Sequence, residues 1–211
     1  MVDSTASRRG RLFVVAAPSG AGKTSLVHAL MEREPGLRFS ISYTTRKQRP
    51  NEVHGKDYFF VAKDQFERMV AAGHFLEHAR VFDNHYGTPR LQVADSLTAG
   101  QDLILEIDWQ GAGQIRRAMP ECVSIFILPP SQAELERRLR GRGTDAEDVI
   151  QRRLRDAAAD IGHWHEFDHV VINDDFQRAL SELQAIVAGH GEASRRDRPG
   201  LAAVVRALTA A

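Results

Sequence analysis

Cysteine is nearly absent from this chain of 211 residues, with Cys122 the single example. One thiol excludes an internal disulfide and fits a reducing compartment. Its setting, Cys122-Val-Ser-Ile-Phe-Ile-Leu128, reads as a buried strand in which the thiol packs as a small apolar group. Net charge is absent too: 28 basic residues cancel 28 acidic ones, so the global field names no nucleic acid or membrane surface as a partner. No window approaches the length of a membrane span. The stretch from Met1 to Gly10 is polar and lacks the apolar run of a secretory signal, so a cytoplasmic protein is expected. Internal repeats and low-complexity tracts are missing as well, which excludes a repeat array.

What is present is the composition of an ordinary folded domain, 43% apolar and 27% charged. The length fits one domain, or one core with inserted subdomains. Apolar segments alternate between strand-like and helix-like periods, which predicts an α/β fold. Leu12-Phe-Val-Val-Ala16 is a continuous apolar run of the kind buried on both faces of a parallel sheet. A helix is predicted from Lys23 to Arg33, stopped by Pro35-Gly36. Residues 38–90 read as an inserted lobe, with β-prone pieces at Phe39-Ser-Ile-Ser-Tyr43 and Tyr58-Phe-Phe-Val61 and a helix opened by Asp64 and Glu67 in capping-box spacing. Strands are predicted at Leu103-Ile-Leu-Glu-Ile107, Ser124-Ile-Phe-Ile-Leu128 and Val170-Val-Ile172. Ser131 with Glu134, and Thr144 with Glu147, repeat the capping spacing before two arginine-rich helices separated by Gly141-Arg-Gly143. A last core helix spans Phe176 to Val187. Composition predicts a flexible link from Gly189 to Arg198, and then a short helix with Leu201, Val204, Val205 and Leu208 on one face.

The strongest local signal is Ala17-Pro18-Ser19-Gly20-Ala21-Gly22-Lys23-Thr24 between a strand and a helix. Phosphates need several N–H donors close together, and glycines at 20 and 22 let the backbone curl its amides inward at a helix N-terminus. Lys23 would reach the β- and γ-phosphates, and the Thr24 hydroxyl would hold Mg²⁺. The pattern departs from the strict phosphate-loop form at its first position, where Ala17 stands in place of glycine.

A second anion site is suggested by Arg46 and Arg49, whose guanidinium forks with the phenol of Tyr58 make a cradle for a phosphate dianion. Glu77 lies in the apolar neighbourhood Phe75-Leu-Glu-His78, and Tyr86, Gly87 and Thr88 follow at a turn. Glu106 and Asp108 fall two residues apart, so both leave one face of a strand, at the carboxyl end where ligands collect in open α/β sheets.

Taken in order, the stretches Ala17 to Thr24, Ser40 to Arg49, Glu52 to Tyr58, Phe75 to Glu77, Tyr86-Gly-Thr88, Glu106 to Gly111, Gly141-Arg-Gly143 and Val171 to Asp175 resemble a bacterial-type guanylate kinase from Leu12 to about Val187. The resemblance implies a P-loop NTPase core with a mostly parallel sheet flanked by helices, an inserted mixed α/β GMP-binding lobe and a helical lid. Its expected boundaries are a flexible segment 1–10, a kinase domain 11–188 (core 11–37, 91–130 and 165–188; lobe 38–90; lid 131–164) and a linker with a terminal helix, 189–211. It further implies that residues 17–24 with Arg138 and Asn173 bind ATP. Arg46, Arg49, Tyr58 and Tyr86, with Gly87 beside them, would bind the GMP phosphate. Ser42, Glu77 and Thr88 would read guanine, and Glu106 and Asp108 would lie near GMP and the magnesium waters. One carboxylate can accept guanine's N1–H and 2-amino group together, whereas adenine reverses this pattern.

Lys23, Arg46, Arg142 and Arg153 would carry the catalysis, because phosphoryl transfer spreads negative charge over the migrating group and guanidinium groups arriving on lid closure neutralise it. The acceptor phosphate, with a second pKa of about 6, is largely dianionic near neutrality and needs no general base. Expected substrates are ATP with Mg²⁺ and GMP or dGMP; nucleic acid and membrane are not expected partners, and homo-oligomerisation is left open. Two other readings stand beside this one: a catalytically silent guanylate-kinase-like binding module, and a related ribose-bisphosphate kinase. The presence of Lys23, Arg142 and Arg153 argues against the first, and Glu77, Ser42 and Thr88 argue against the second. His163-Trp-His165 has metal-like closeness, but i, i+2 spacing points its rings to different sides of a helix.

Overall fold

A computed structural model describes residues 8–81, 83–141 and 146–209, and among these described residues there are nine strands and eight α-helices. The strands are β1 (Leu12–Ala16), β2 (Leu37–Phe39), β3 (Tyr43–Thr44), β4 (Phe59–Phe60), β5 (Phe75–Val81), β6 (Asn84–Pro89), β7 (Asp102–Glu106), β8 (Val123–Leu128) and β9 (His169–Ile172). The helices are α1 (Lys23–Arg33), α2 (Lys63–Ala71), α3 (Arg90–Thr98), α4 (Trp109–Ala118), α5 (Gln132–Arg140), α6 (Glu147–Ile161), α7 (Phe176–Ala188) and α8 (Leu201–Thr209). One five-stranded sheet has the order β2-β7-β1-β8-β9, with β2 parallel to β7 and β8 parallel to β9. A four-stranded sheet has the order β4-β3-β6-β5. The chain thus has the α/β architecture of a mostly parallel sheet with helices.

Contacts divide the chain into two compact units, and the division cuts through β1 itself. The first comprises Met1–Phe13, Pro35–Leu105 and Gln110–Cys122. Here β5 and β6 form an antiparallel hairpin, and their register sets Glu77 opposite Thr88. β3 pairs antiparallel with β6 and parallel with β4. The rings of Phe66, Phe75 and Tyr43 pack on one another, Phe66 and Phe75 stacked at 4.6 Å and Tyr43 edge-on to Phe75 at 5.7 Å. The start of the chain is tied down by Asp102, which accepts from the Arg11 backbone N–H at 2.7 Å and from the Arg8 and Arg11 guanidinium groups.

The second unit comprises Val14–Glu34, Glu106–Trp109 and Val123–Ala211. Its strands are apolar on both faces: Val14, Val15, Ile125, Phe126, Val170 and Val171 have no exposed surface. Ser131 caps α5 by accepting from Glu134 N–H at 3.1 Å, the geometry its capping spacing predicts. Two other capping expectations differ. Asp64 lies inside α2, whose cap is Ala62, and its carboxylate instead accepts from Arg68 one turn on. Thr144 lies outside the described residues, and Ala146 caps α6 without a side-chain bond.

The segment from Gly189 to Arg198, expected from its polarity to be a flexible link, is folded. It contains a short helical turn, Glu192–Ser194, with Ser194 buried, and Arg198 donates to the carbonyls of Val170 at 2.6 Å and Ser194 at 3.1 Å. Polar composition misleads here because backbone carbonyls accept from the Arg198 guanidinium and offset part of the cost of burying it, although burial still lowers its pKa. After it, α8 buries Leu201, Val205 and Leu208 within its own unit, packed on α6, and its Leu208 carbonyl accepts from Gln132 at 2.7 Å. No helix among the described residues is long and apolar enough to cross a membrane.

Candidate active site

In the second unit the chain turns from β1 into α1 through a loop whose two glycines carry positive φ, 89° at Gly20 and 92° at Gly22. That left-handed backbone disfavours any other residue, and space forbids it as well. A Cβ on Gly22 would stand 2.4 Å from Asn173 Nδ2, and one on Gly20 would press on Leu135 and Leu139. Gly22 is also the N-cap of α1 and brings no capping side chain, so the positive end of the helix faces the loop uncovered by a side chain of its own cap.

The loop is braced from behind. Asn173 Nδ2 donates to the Ala21 carbonyl at 2.8 Å, and Arg138 donates to the same carbonyl at 3.2 Å and to the Asn173 carbonyl at 2.9 Å. Glu134 holds Arg138 in that pose at 2.7 Å, and the Arg137 and Arg138 guanidinium groups beside it draw the Glu134 carboxyl down to about 2. Ala17, Pro18, Ser19 and Ala21 complete the turn, with Ala21 N–H donating to the Pro18 carbonyl.

Lys23 and Thr24 open α1 and meet the end of β7. Lys23 Nζ donates to the Ile107 carbonyl at 2.7 Å and lies 4.0 Å from Glu106. The Thr24 hydroxyl donates to Glu106 Oε1 at 2.5 Å. An ammonium, a hydroxyl and a carboxylate thus converge at the helix end of the glycine loop. Asp108 follows two residues on, half-buried in the same unit. Next to it, Trp109 Nε1 donates to Asp160 at 3.0 Å, and the Trp109 ring stacks on His163 at 3.5 Å between centroids and 8° between planes. Burial, aided by the neighbouring Asp108 and Asp156 charges, pushes the Asp160 carboxyl up to about 6. His163 also bonds Glu166 at 2.5 Å while His165 is exposed, and no cluster suited to a metal ion occurs among the described residues. Arg153 sits half-buried on α6, and Arg142 lies outside the described residues.

The first unit holds the other candidates. Arg46 meets Glu52 as a two-pronged pair, at 2.6 and 3.0 Å, and its guanidinium lies over the rings of Tyr58 and Phe60 at 5.5 and 5.7 Å. Burial opposes its charge, but the bonds to Glu52 and Tyr86 outweigh that and hold Arg46 above its ordinary pKa. Arg46 in turn holds the Glu52 carboxyl below its usual range. Glu52 also accepts from the Arg49 backbone N–H at 2.8 Å and lies 3.8 Å from the largely exposed Arg49 guanidinium. Tyr58 and Tyr86 meet edge to face at 6.0 Å. Gly87 is required where it stands, since a Cβ there would strike the Phe75 ring at 2.8 Å. Deeper in the sheet, Thr88 donates to Glu77 at 2.5 Å, with both residues buried and Ser42 nearly so. The Thr88 hydroxyl thus offsets part of the cost of burying this carboxylate.

Three residues in this arrangement went unassigned from sequence. Glu52 organises both arginines, and its signal was its spacing, three residues after Arg49 and six after Arg46. Trp109 and Asp160 meet only through the fold, 51 residues apart, and no local pattern marks them.

Comparison with known proteins agrees with the resemblance seen in the motifs. The family model described as guanylate kinase matches residues 9–190. A guanylate kinase of Alkalilimnicola ehrlichii is 53% identical over 199 residues, covering 94% of this chain and 98% of the relative. That of Escherichia coli K12 is 52% identical over 181 residues, covering 85% and 87%. The crystal structure of guanylate kinase from Anaplasma phagocytophilum superposes with a TM-score of 0.74 at 33% identity, covering 94% of this chain and 95% of that one. With a glycine loop ending in Lys23 and Thr24, a buried Glu77–Thr88 pair, and matches of this length and identity, the chain belongs to the guanylate kinase family.

Proposed function

We infer that this chain transfers the γ-phosphoryl group of ATP to GMP, giving ADP and GDP. The observation that carries the reading is the buried Glu77–Thr88 pair in a chain that also bears a phosphate loop. A carboxylate in this position can accept together the two N–H donors on one edge of guanine, a pair that adenine lacks. The same pair disfavours a ribose-bisphosphate acceptor, and the retained Lys23 disfavours a silent binding module.

The roles divide as follows. Amides of residues 17–22 and the N-terminus of α1 receive the ATP phosphates, with Lys23 neutralising the β- and γ-oxygens. Arg138 and Asn173 keep the loop in shape through the Ala21 carbonyl and lie on the ATP side. Arg46, Arg49, Tyr58 and Tyr86 bind the GMP phosphate, with Gly87 leaving room for the sheet to close on Phe75. Ser42, Glu77 and Thr88 read the base. Arg46, Arg142 and Arg153 join Lys23 in stabilising charge on the migrating phosphoryl group. Glu106 and Asp108 complete the acceptor side. In this reading residues 38–90 form the GMP lobe, 131–164 the lid, and 11–37, 91–130 and 165–188 the core.

The donor set at the loop suits a hard cation: a hydroxyl and a carboxylate oxygen 2.5 Å apart, with no sulfur or imidazole. Thr24, with Glu106 beside it, would hold Mg²⁺, which when bound offsets the charge of the ATP phosphates. Lys23 and the loop amides orient the donor phosphate, and the arginines exclude water while holding the acceptor in line.

A coupled assay of ADP release tests the reading with GMP, dGMP, AMP and UMP at millimolar magnesium. GMP-dependent ADP formation is expected, with AMP a poor acceptor and with turnover abolished by Lys23→Ala. ADP release that is independent of GMP would refute it.

A further inference from the structure

The residue that follows the carboxylate segment Glu106–Asp108 is held from two sides by the end of α6. Trp109 donates its indole N–H to Asp160 at 3.0 Å, and its ring lies flat on His163 at 3.5 Å and 8°. Asp160 belongs to the last turn of α6, the helix that bears Arg153, and His163 follows its C-cap Gly162. His163 is itself fixed by Glu166 at 2.5 Å. All of these residues lie in the second unit, and Asp160, Trp109 and His163 are half-buried. The stack and the hydrogen bond hold the indole at two points, which couples the segment 106–109 to the end of α6.

We propose that Asp160 is a positioning residue for phosphoryl transfer: through the Trp109 indole it locks the Glu106–Asp108 strand end to the helix that carries Arg153. The inference rests on the reading that these carboxylates and Arg153 serve the transfer step. Asp160 touches none of the reacting groups; it acts through Trp109. The indole N–H offsets only part of the cost of placing this carboxyl in a half-buried site, and a purely packing role would be served better by an apolar residue. Displacements of about 1 Å in a phosphoryl-transfer site can cost up to 10²-fold in rate, so the expected loss on breaking the lock is an intermediate one, about tenfold in kcat.

The test uses the full chain and steady-state kinetics with both substrates, beginning with the unaltered protein. Asp160→Ala is expected to lower kcat about tenfold while the KM values for GMP and ATP change less than twofold, the split expected of lost orientation, not lost binding. Trp109→Phe keeps a ring against His163 but removes the N–H, and should reproduce that loss. Asp160→Asn keeps an acceptor oxygen and should retain at least half of kcat. The double variant Asp160→Ala with Trp109→Phe should lose no more than either alone. Wild-type kcat in both Asp160→Ala and Trp109→Phe would overturn the inference, as would an Asp160→Asn protein as slow as Asp160→Ala. If Asp160→Ala does not fold, Trp109→Phe and Asp160→Asn still decide. Failure of the unaltered protein to phosphorylate GMP would instead strike the functional reading itself, so the two failures are separable.

Discussion

Replacing Glu77 with glutamine exchanges one acceptor oxygen for a donor at nearly constant volume, in a position where both Glu77 and its partner Thr88 are buried. In the unaltered protein the carboxylate accepts the Thr88 hydroxyl at 2.5 Å, and in the proposed complex it would accept the two N–H donors of guanine. Glutamine can accept from only one side, and its amide N–H would face a guanine N–H. One charge-assisted bond is lost, at about 1.5–3 kcal/mol, and one donor is left buried and unpaired, at about 1–3 kcal/mol more. The sum, about 2.5–6 kcal/mol, predicts a fall of ~10²- to 10⁴-fold in kcat/KM for GMP, since 1.4 kcal/mol is tenfold. Adenine presents an acceptor and a donor on the same edge, so AMP should gain or hold. The ratio of kcat/KM for GMP over AMP, from coupled ADP release with each acceptor, reads the effect directly. A ratio within threefold of the unaltered protein's would refute the assignment of Glu77 to the base, whatever happened to the absolute rates.

Two further outcomes are expected. Gly22→Ala places a Cβ 2.4 Å from Asn173 Nδ2 at a φ of 92°, so it should cost about 1–3 kcal/mol in stability by thermal unfolding and raise the KM for ATP at least tenfold; an unchanged KM would remove the loop from the ATP site. Asp160 has its carboxyl raised from 3.8 to about 6 in the folded chain, so its contribution to stability is full below the lower value and is lost as pH rises through the higher one. The whole swing is about 3 kcal/mol, of which ~1.4 kcal/mol falls between pH 5 and 8, and urea unfolding should show Asp160→Asn gaining that much on the unaltered protein across that range; parallel pH curves would contradict the burial of this charge.

Much of this protein is legible without coordinates. The run at 12–16, the glycine loop and the helix at 23–33 are local signals, because a buried parallel strand must be apolar throughout and a phosphate loop needs glycines where φ is positive. The Ser131–Glu134 cap is equally local. Residues 90–98 and 109–118 carry little helical signal in the sequence: α3 places only Val93 and Leu97 in the core, and α4 buries Gly111, Ala112, Gly113 and Ile115, so neither displays a broad apolar stripe of large side chains. The β5–β6 hairpin was equally obscure, since its turn carries no Asn-Gly or Asp-Gly pair.

Sequence alone determined which chemistry the chain could hold, since Lys23, Thr24, Arg46, Arg49 and Glu77 are each suited to phosphate, cation or guanine by their own functional groups. Only the tertiary structure decided which of them meet. Glu77 faces Thr88 because antiparallel register sets them across from each other, Glu52 gathers Arg46 and Arg49 because the loop folds back, and Trp109 reaches Asp160 because packing brings the end of α6 to the end of β7. Hydrogen bonds between residues far apart in sequence, such as Trp109 and Asp160, depend on register and packing, which arise from the burial of the whole chain and are not written in the local pattern at either partner.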